Sequence, residues 1–74
     1  MKTYEFFRRT AVPENRYDYD GSNQMIYHGI HETPGAATSD GTWLIWKLTY
    51  TSTNLTRIQG PLKGSWDNRA SLAW

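Results

Sequence analysis

Thr42 to Thr51 reads TWLIWKLTYT, and the fold turns on it. As an extended chain it places Leu44, Trp46, Leu48 and Tyr50 on one face and Trp43, Ile45, Lys47 and Thr49 on the other. Both faces are largely apolar near the start. That pattern is expected of a central strand buried on both sides there, with Leu44, Trp46, Leu48 and Ile58 as the centre of the core. Ser52-Thr53-Asn54 follows as a hairpin turn, with Asn54 suited to a positive φ. Residues 55–59 read as the return strand, ended by Gly60-Pro61.

Upstream, residues 24–31 (QMIYHGIH) read as a second strand, in which Gly29 signals a bulge or a close backbone approach. Residues 3–10 read as a first strand. Residues 13–23 are polar and turn-rich, and residues 34–41 (PGAATSDG) form a small-residue loop that admits close approach of another chain. Near the end, Ser65 is placed to cap one helical turn over residues 66–69, before a short last strand over residues 70–74. The expectation is an all-β fold, a small antiparallel β-sandwich or barrel of four to five short strands. It is one domain over residues 1–74, with residues 1–23 an extended or partner-bound N-terminal segment.

Composition agrees with a folded but thinly cored chain. Leu, Ile, Val and Phe supply only 12 of 74 residues, a level that signals disorder when net charge is high, yet the net charge is +1. Aromatics replace the missing aliphatic mass, with Trp 4, Tyr 5 and Phe 2. Cysteine is absent, so no disulfide or thiolate cage staples the fold. A domain this small gains stability from neighbouring subunits.

Charge argues against a nucleic-acid partner. Residues 1–32 carry net −1 and residues 33–74 net +2, with a pI of 8.1, against the basic face and pI above about 9 of dedicated binders. A membrane partner is not expected either, since no apolar run approaches the roughly 18 residues of a span. Glu5 and Arg8-Arg9 interrupt the place where a signal peptide needs its apolar region.

No cofactor, metal or catalytic residue is expected. His28 and His31 would suit one metal on a helix, but on a strand they point to opposite faces. Asp18 to Asn23 resembles part of a calcium loop, yet it lacks the terminal bidentate Glu, and Asp20-Gly21 is plain turn chemistry. No nucleophile elbow, phosphate-binding glycine loop or zinc-protease motif occurs.

The aromatics carry the functional question. Trp43, Trp46, Trp66 and Trp74 serve either as core and subunit interface or as exposed platforms for sugars. Tyr4, Phe6 and Phe7 put apolar side chains on both faces of the first strand, more than an edge shows to water, so they are expected at a contact with another copy or a larger protein. Trp66, Arg69 and Trp74 are the C-terminal interface candidates. In the simpler reading they tie down the terminus locally, with Arg69 paired to Asp67 or to a neighbouring chain.

One set of residues has a family cadence. Ala37-Thr38-Ser39, then Trp43, Ile45, Lys47, Thr49 and Tyr50, then Asn54, then Trp66-Asp67-Asn68-Arg69-Ala70-Ser71-Leu72 with Trp74 resemble small virion structural proteins of tailed bacteriophages. Those proteins end in W-D-N-R-A-S-L-x-[YW]. The resemblance covers roughly the C-terminal half, and Trp46 stands where the family commonly has a basic residue. It implies a non-enzymatic component of the virion, made in the bacterial cytoplasm and assembling in multiple copies with other virion proteins on the tail, connector or capsid. The alternative is a glycan-binding module for host attachment, with Trp and Tyr platforms. If Trp43 and Trp66 lie exposed in one line, the glycan reading gains. If they are buried, the structural reading does.

Overall fold

A computed structural model describes residues 13–74. The expected strand over residues 3–10, with Tyr4, Phe6 and Phe7, lies outside the described residues. Four strands run in order: β1 (Glu14–Tyr19), β2 (Met25–His31), β3 (Trp43–Thr51) and β4 (Asn54–Gly64). A 3-10 segment, Trp66–Ser71, follows. The strands form one antiparallel sheet in the order β1-β2-β3-β4. The sheet is open, so the expected sandwich or barrel is corrected to a single four-stranded meander.

Two strands depart from expectation. Glu14–Tyr19 lies in the stretch read as polar and turn-rich, yet it pairs with β2 along its length, Arg16 opposite Gly29 and Tyr17 opposite His28. Its charged residues misled the reading: Arg16 is exposed, while Glu14 and Asp18 are half-buried and held by partners from other parts of the chain. β4 does not stop at Gly60-Pro61 but continues to Gly64. Ile45 pairs with Leu62 and Lys47 with Gln59, so Gly60 and Pro61 together oppose Trp46 in a bulge. Proline is tolerated because β4 is the other edge. Gly60 has φ +114° and sits so close to Ile45 that a Cβ would stand 2.6 Å from its carbonyl oxygen.

The hairpin forms at residues 52–53 as expected, but Ser52, not Asn54, takes the positive φ (58°). Ser65 caps the 3-10 segment, its side chain accepting from the Asn68 amide. That segment runs on to Ser71, which replaces the expected last strand.

The core lies on the face opposite to the one expected. Trp43 and Ile45 are fully buried and Trp66 nearly so, with Tyr27, Ala36, Leu72 and Trp74 packed around them. Leu44 and Ile58, expected at the centre, are 41% and 59% exposed, and Trp46 and Leu48 are only half-buried. The 3-10 segment decides this, because it folds back over the Trp43–Ile45 side and covers that side alone. Gly29 makes room for it, since a Cβ there would stand 2.6 Å from Trp66 Cε3 and 3.3 Å from Trp43 Cε3.

The small-residue loop joins the same cover. Ala36 packs on the core, the Ala37 carbonyl accepts from Trp43 Nε1 at 2.9 Å, and the Thr38 carbonyl accepts from the Asp67 amide at 3.0 Å. Its small side chains admit close approach of a chain, and the chain that approaches is the protein's own C-terminus.

Candidate interaction face

Strand register sorts the other side of the sheet into cross-strand rows. Tyr17, His28 and Trp46 stand abreast on β1, β2 and β3. Asn15, Ile30, Leu44 and Lys63 form the next row toward the β2–β3 loop. Toward the hairpin come Leu48 with Ile58 and Tyr50 with Leu55. No element of the described chain crosses these rows. Tyr17, Leu44, Leu55 and Ile58 are all exposed. The side is apolar, continuous and open to solvent, the type of surface that marks an interaction site.

Polarity in the hairpin half gives the side its direction. There, on the core side of the sheet, Lys47, Thr49, Arg57 and Gln59 extend past the reach of the 3-10 segment and meet water. Their alternating neighbours Leu48, Tyr50 and Ile58 point to the open side. An alternation of this kind specifies which side is to be buried. Here that side carries no cover from the described residues.

Tyr17, His28 and Trp46 form a stack. The Tyr17 and His28 rings lie 4.9 Å apart and 9° from parallel; the His28 and Trp46 rings lie 5.5 Å apart at 25°. The spacings match the separation of adjacent strands, so the rings stand upright and turn their flat faces to one another. His28 Nε2 pairs with Asn15 Oδ1 at 3.0 Å, and desolvation by burial holds the imidazole pKa below its ordinary value. Beside this row, Pro13, Ile30, Glu32, Thr42, Leu44 and Lys63 line an open groove of about 450 Å³ at one end of the sheet.

The C-terminal candidates lie together on the core side. Trp66 is buried against Trp43, ring centroids 6.1 Å apart. Arg69 pairs with Asp18, not Asp67: Nε and Nη2 each reach Asp18 Oδ2 at 3.0 Å. Its Nη1 donates to the Trp66 carbonyl at 2.9 Å, and the guanidinium lies 4.7 Å from the Trp66 ring centroid. Trp74 Nε1 donates to the Arg69 carbonyl at 2.6 Å, and its ring packs against Tyr27. The motif is therefore a lock that joins the C-terminus to β1 and β2, in line with the local reading. Asp18 lay in the stretch read as a loop, which hid it as the partner of Arg69. Alternation of Asn15, Tyr17 and Tyr19 was the available signal that Glu14–Tyr19 is extended.

His31, Thr42 and Asp40 form the one side-chain cluster among the described residues that invites a catalytic reading. His31 is buried, and its Nδ1 accepts from the Thr33 amide at 3.0 Å, which puts the ring proton on Nε2. Nε2 meets Thr42 Oγ1 at 2.7 Å, and that hydroxyl donates to Asp40 Oδ1 at 2.6 Å. Asp40 Oδ2 lies 3.4 Å from the same Nε2. In a catalytic triad the carboxylate holds one ring nitrogen and the hydroxyl meets the other. Here both crowd Nε2, which is protonated and cannot act as base toward the hydroxyl. The cluster pins the β2–β3 loop. Hydrogen bonds from the Thr42 hydroxyl and amide, and then His31, hold the Asp40 carboxyl below its usual range.

His28 and His31 fall on opposite sides of the sheet, as strand geometry requires. Asp20 Oδ1 is engaged by the amides of Ser22 and Gln24 at 2.8 and 3.0 Å, the Asx geometry of a turn. Among the described residues no group of three or more His, Cys, Asp or Glu is placed to hold a metal ion, and no helix is long and apolar enough to cross a membrane. Set against family models, curated proteins and solved structures, the chain matches none.

Proposed function

We propose that the chain is a non-enzymatic structural subunit of a tailed-bacteriophage virion, present in multiple copies on the tail, connector or capsid and docked through the open side of its sheet. One observation carries this reading. The sheet is closed on one side by its own C-terminus, while the apolar side, with the Tyr17–His28–Trp46 stack, has no cover from the described residues. The virion resemblance supports the particle. Of its quoted motif residues, Ala37-Thr38, Trp43, Ile45 and Trp66 to Trp74 gather on the core side, where they build the fold, while Tyr50 stands on the open side. Trp46, which departs from the family pattern, stands on the open side.

The geometry disfavours the glycan alternative. A sugar stacks on a ring face turned to water. Trp43 and Trp66 are buried, and His28 is stacked between Tyr17 and Trp46. The test is quantitative mass spectrometry of purified particles of the phage that encodes the chain. Several copies per particle are expected, with incorporation lost on Ile58→Lys. Absence from washed particles refutes the role.

A further inference from the structure

We propose that His31 is a proton-operated latch: when its imidazole takes up a second ring proton, the near end of the β2–β3 loop, residues 33–36, lets go of the sheet and loosens its hold on the C-terminus. The inference stands apart from the proposed virion role, because it concerns the core side of the sheet and a buried titratable side chain that the open side does not use.

The neutral ring has both nitrogens engaged. Nδ1 accepts from the Thr33 amide at 3.0 Å, and Nε2 meets Thr42 Oγ1 at 2.7 Å. A second proton must go on Nδ1. There it faces the Thr33 N–H, which leaves two donors 3.0 Å apart with no acceptor between them. The ring has little room to turn away. His31 is buried, it meets the Trp43 ring edge to face at 5.2 Å, and Thr42 holds Nε2. Thr33 is the freer partner, an exposed residue in the bend just past the end of β2.

The charges around the ring act unequally on the two ends of the loop. Two carboxylates share its side of the sheet: Asp40, whose Oδ2 lies 3.4 Å from Nε2, and Glu14, which stands opposite His31 across the β1–β2 pair. Arg16, next along that side of β1, is exposed and stands opposite Gly29. β3 and the 3-10 segment approach through the uncharged rings of Trp43 and Trp66. An imidazolium strengthens the Asp40 contact and tightens the far end of the loop, where Asp40 Oδ1 also holds the Thr42 amide and hydroxyl. It draws Glu14 as well, and Glu14 Oε1 is the acceptor for the Gly35 amide at 2.8 Å. One proton therefore weakens both ties of the near end, Thr33 to His31 and Gly35 to Glu14. That end carries Ala36 against the core. Next come the Ala37 carbonyl on Trp43 Nε1 and the Thr38 carbonyl on the Asp67 amide. The latch thus couples a proton at the end of β2 to the seat of the 3-10 segment. Histidine suits the task, as the side chain that ordinarily changes charge between about pH 5 and pH 8.

The test is a pH titration of the isotope-labelled full chain by NMR. The imidazole nitrogen shifts of His31 report its protonation directly. Hydrogen exchange, corrected for the intrinsic effect of pH, reports the protection of each N–H. Protection of the Thr33, Gly35 and Asp67 amides and of the Trp43 indole N–H should fall by at least about tenfold as His31 takes up its proton, while the Thr42 amide stays protected. His31→Asn should abolish this dependence, since a carboxamide oxygen can accept from the Thr33 amide at every pH. If that variant does not fold, the wild-type titration decides alone. Protonation of His31 with Thr33 and Asp67 unchanged overturns the inference. So does a loss of protection that includes Thr42, which is general unfolding, or a His31 that stays neutral until the chain unfolds. The same pH dependence in folded His31→Asn overturns it too.

Discussion

The six-membered ring of Trp66 rests directly on the backbone of Gly29: a Cβ at that glycine would stand 2.6 Å from Cε3 and 2.7 Å from Cζ3. Glycine is required there for space, because its backbone is ordinary strand paired with Arg16 on one side and Ile45 on the other. Gly29→Ala must push Trp66 off the sheet, and Trp43 behind it. Overpacking of this kind costs about 1–3 kcal/mol. Gly21, with nothing within 4 Å of its virtual Cβ, is the control, and Gly21→Ala should stay within about 0.5 kcal/mol of wild type. Equal urea midpoints for the two variants would contradict the packing described.

The two faces of β3 give a second ordering. Trp43→Ala removes a fully buried ring and its hydrogen bond to Ala37, so a loss of about 3–5 kcal/mol is expected, enough to unfold a small domain. Trp46→Ala removes a half-buried ring from the open side and should leave a folded chain. Circular dichroism melts of the two variants decide the matter. The reverse order, with Trp46→Ala unfolded and Trp43→Ala intact, would place the core on the other side.

That ordering also shows what the sequence could and could not reveal. β2 and β3 were legible to within a residue at each end, because each is a continuous run of apolar and β-branched or aromatic residues. The Ser65 cap and the close approach at Gly29 were legible too, since each follows from local backbone chemistry. Which side of β3 is buried was not. Leu44, Trp46, Leu48 and Tyr50 on one side outnumber Trp43 and Ile45 on the other, so period-two alternation points to the side that the described chain leaves open. The choice is made by Trp66, more than twenty residues away, and by the room that Gly29 leaves for it. β1 was hidden for a related reason. Its core-side residues Glu14, Arg16 and Asp18 are charged, and their use shows only when Gly35 and Arg69 arrive, the Gly35 amide donating to Glu14 Oε1 at 2.8 Å and Arg69 reaching Asp18. The interaction candidates had the same limit: Trp66, Arg69 and Trp74 were found as a group, while the open row was invisible until β1 took its place.

Arg69 offers a sharper probe than its charge suggests. It holds Asp18 through two nitrogens, donates to the Trp66 carbonyl and lies over the Trp66 ring. Lysine keeps the charge but not the planar fork, so Arg69→Lys should lose most of what Arg69→Ala loses. The pair is about a quarter to a third exposed, so solvent screening limits the coupling. A double-mutant cycle with Asp18→Asn should return about 1 kcal/mol, above the few tenths typical of an exposed pair. A cycle that closes at zero would reduce the contact to a surface coincidence.

His28 contributes a pH dependence to stability that can be isolated by substitution. Its neighbours across the strands are Asn15 and Tyr17 on β1 and Trp46 on β3, none of them charged at neutral pH. Burial among them lowers the imidazole pKa, so between the folded value and the unfolded value near 6.5 the unfolded chain binds more protons than the folded one. Stability therefore rises with pH through that window. The contribution is complete above about 6.5 and is lost as pH falls toward the folded pKa. His28→Phe preserves an upright ring between Tyr17 and Trp46 and removes the titration. Thermal melts of wild type and His28→Phe between about pH 5 and pH 8 should converge at the upper end and separate at the lower, with the variant melting relatively higher in acid. His31 is present in both chains and cancels in the difference. Parallel curves across the whole range would mean that the imidazole does not sense its place in the stack.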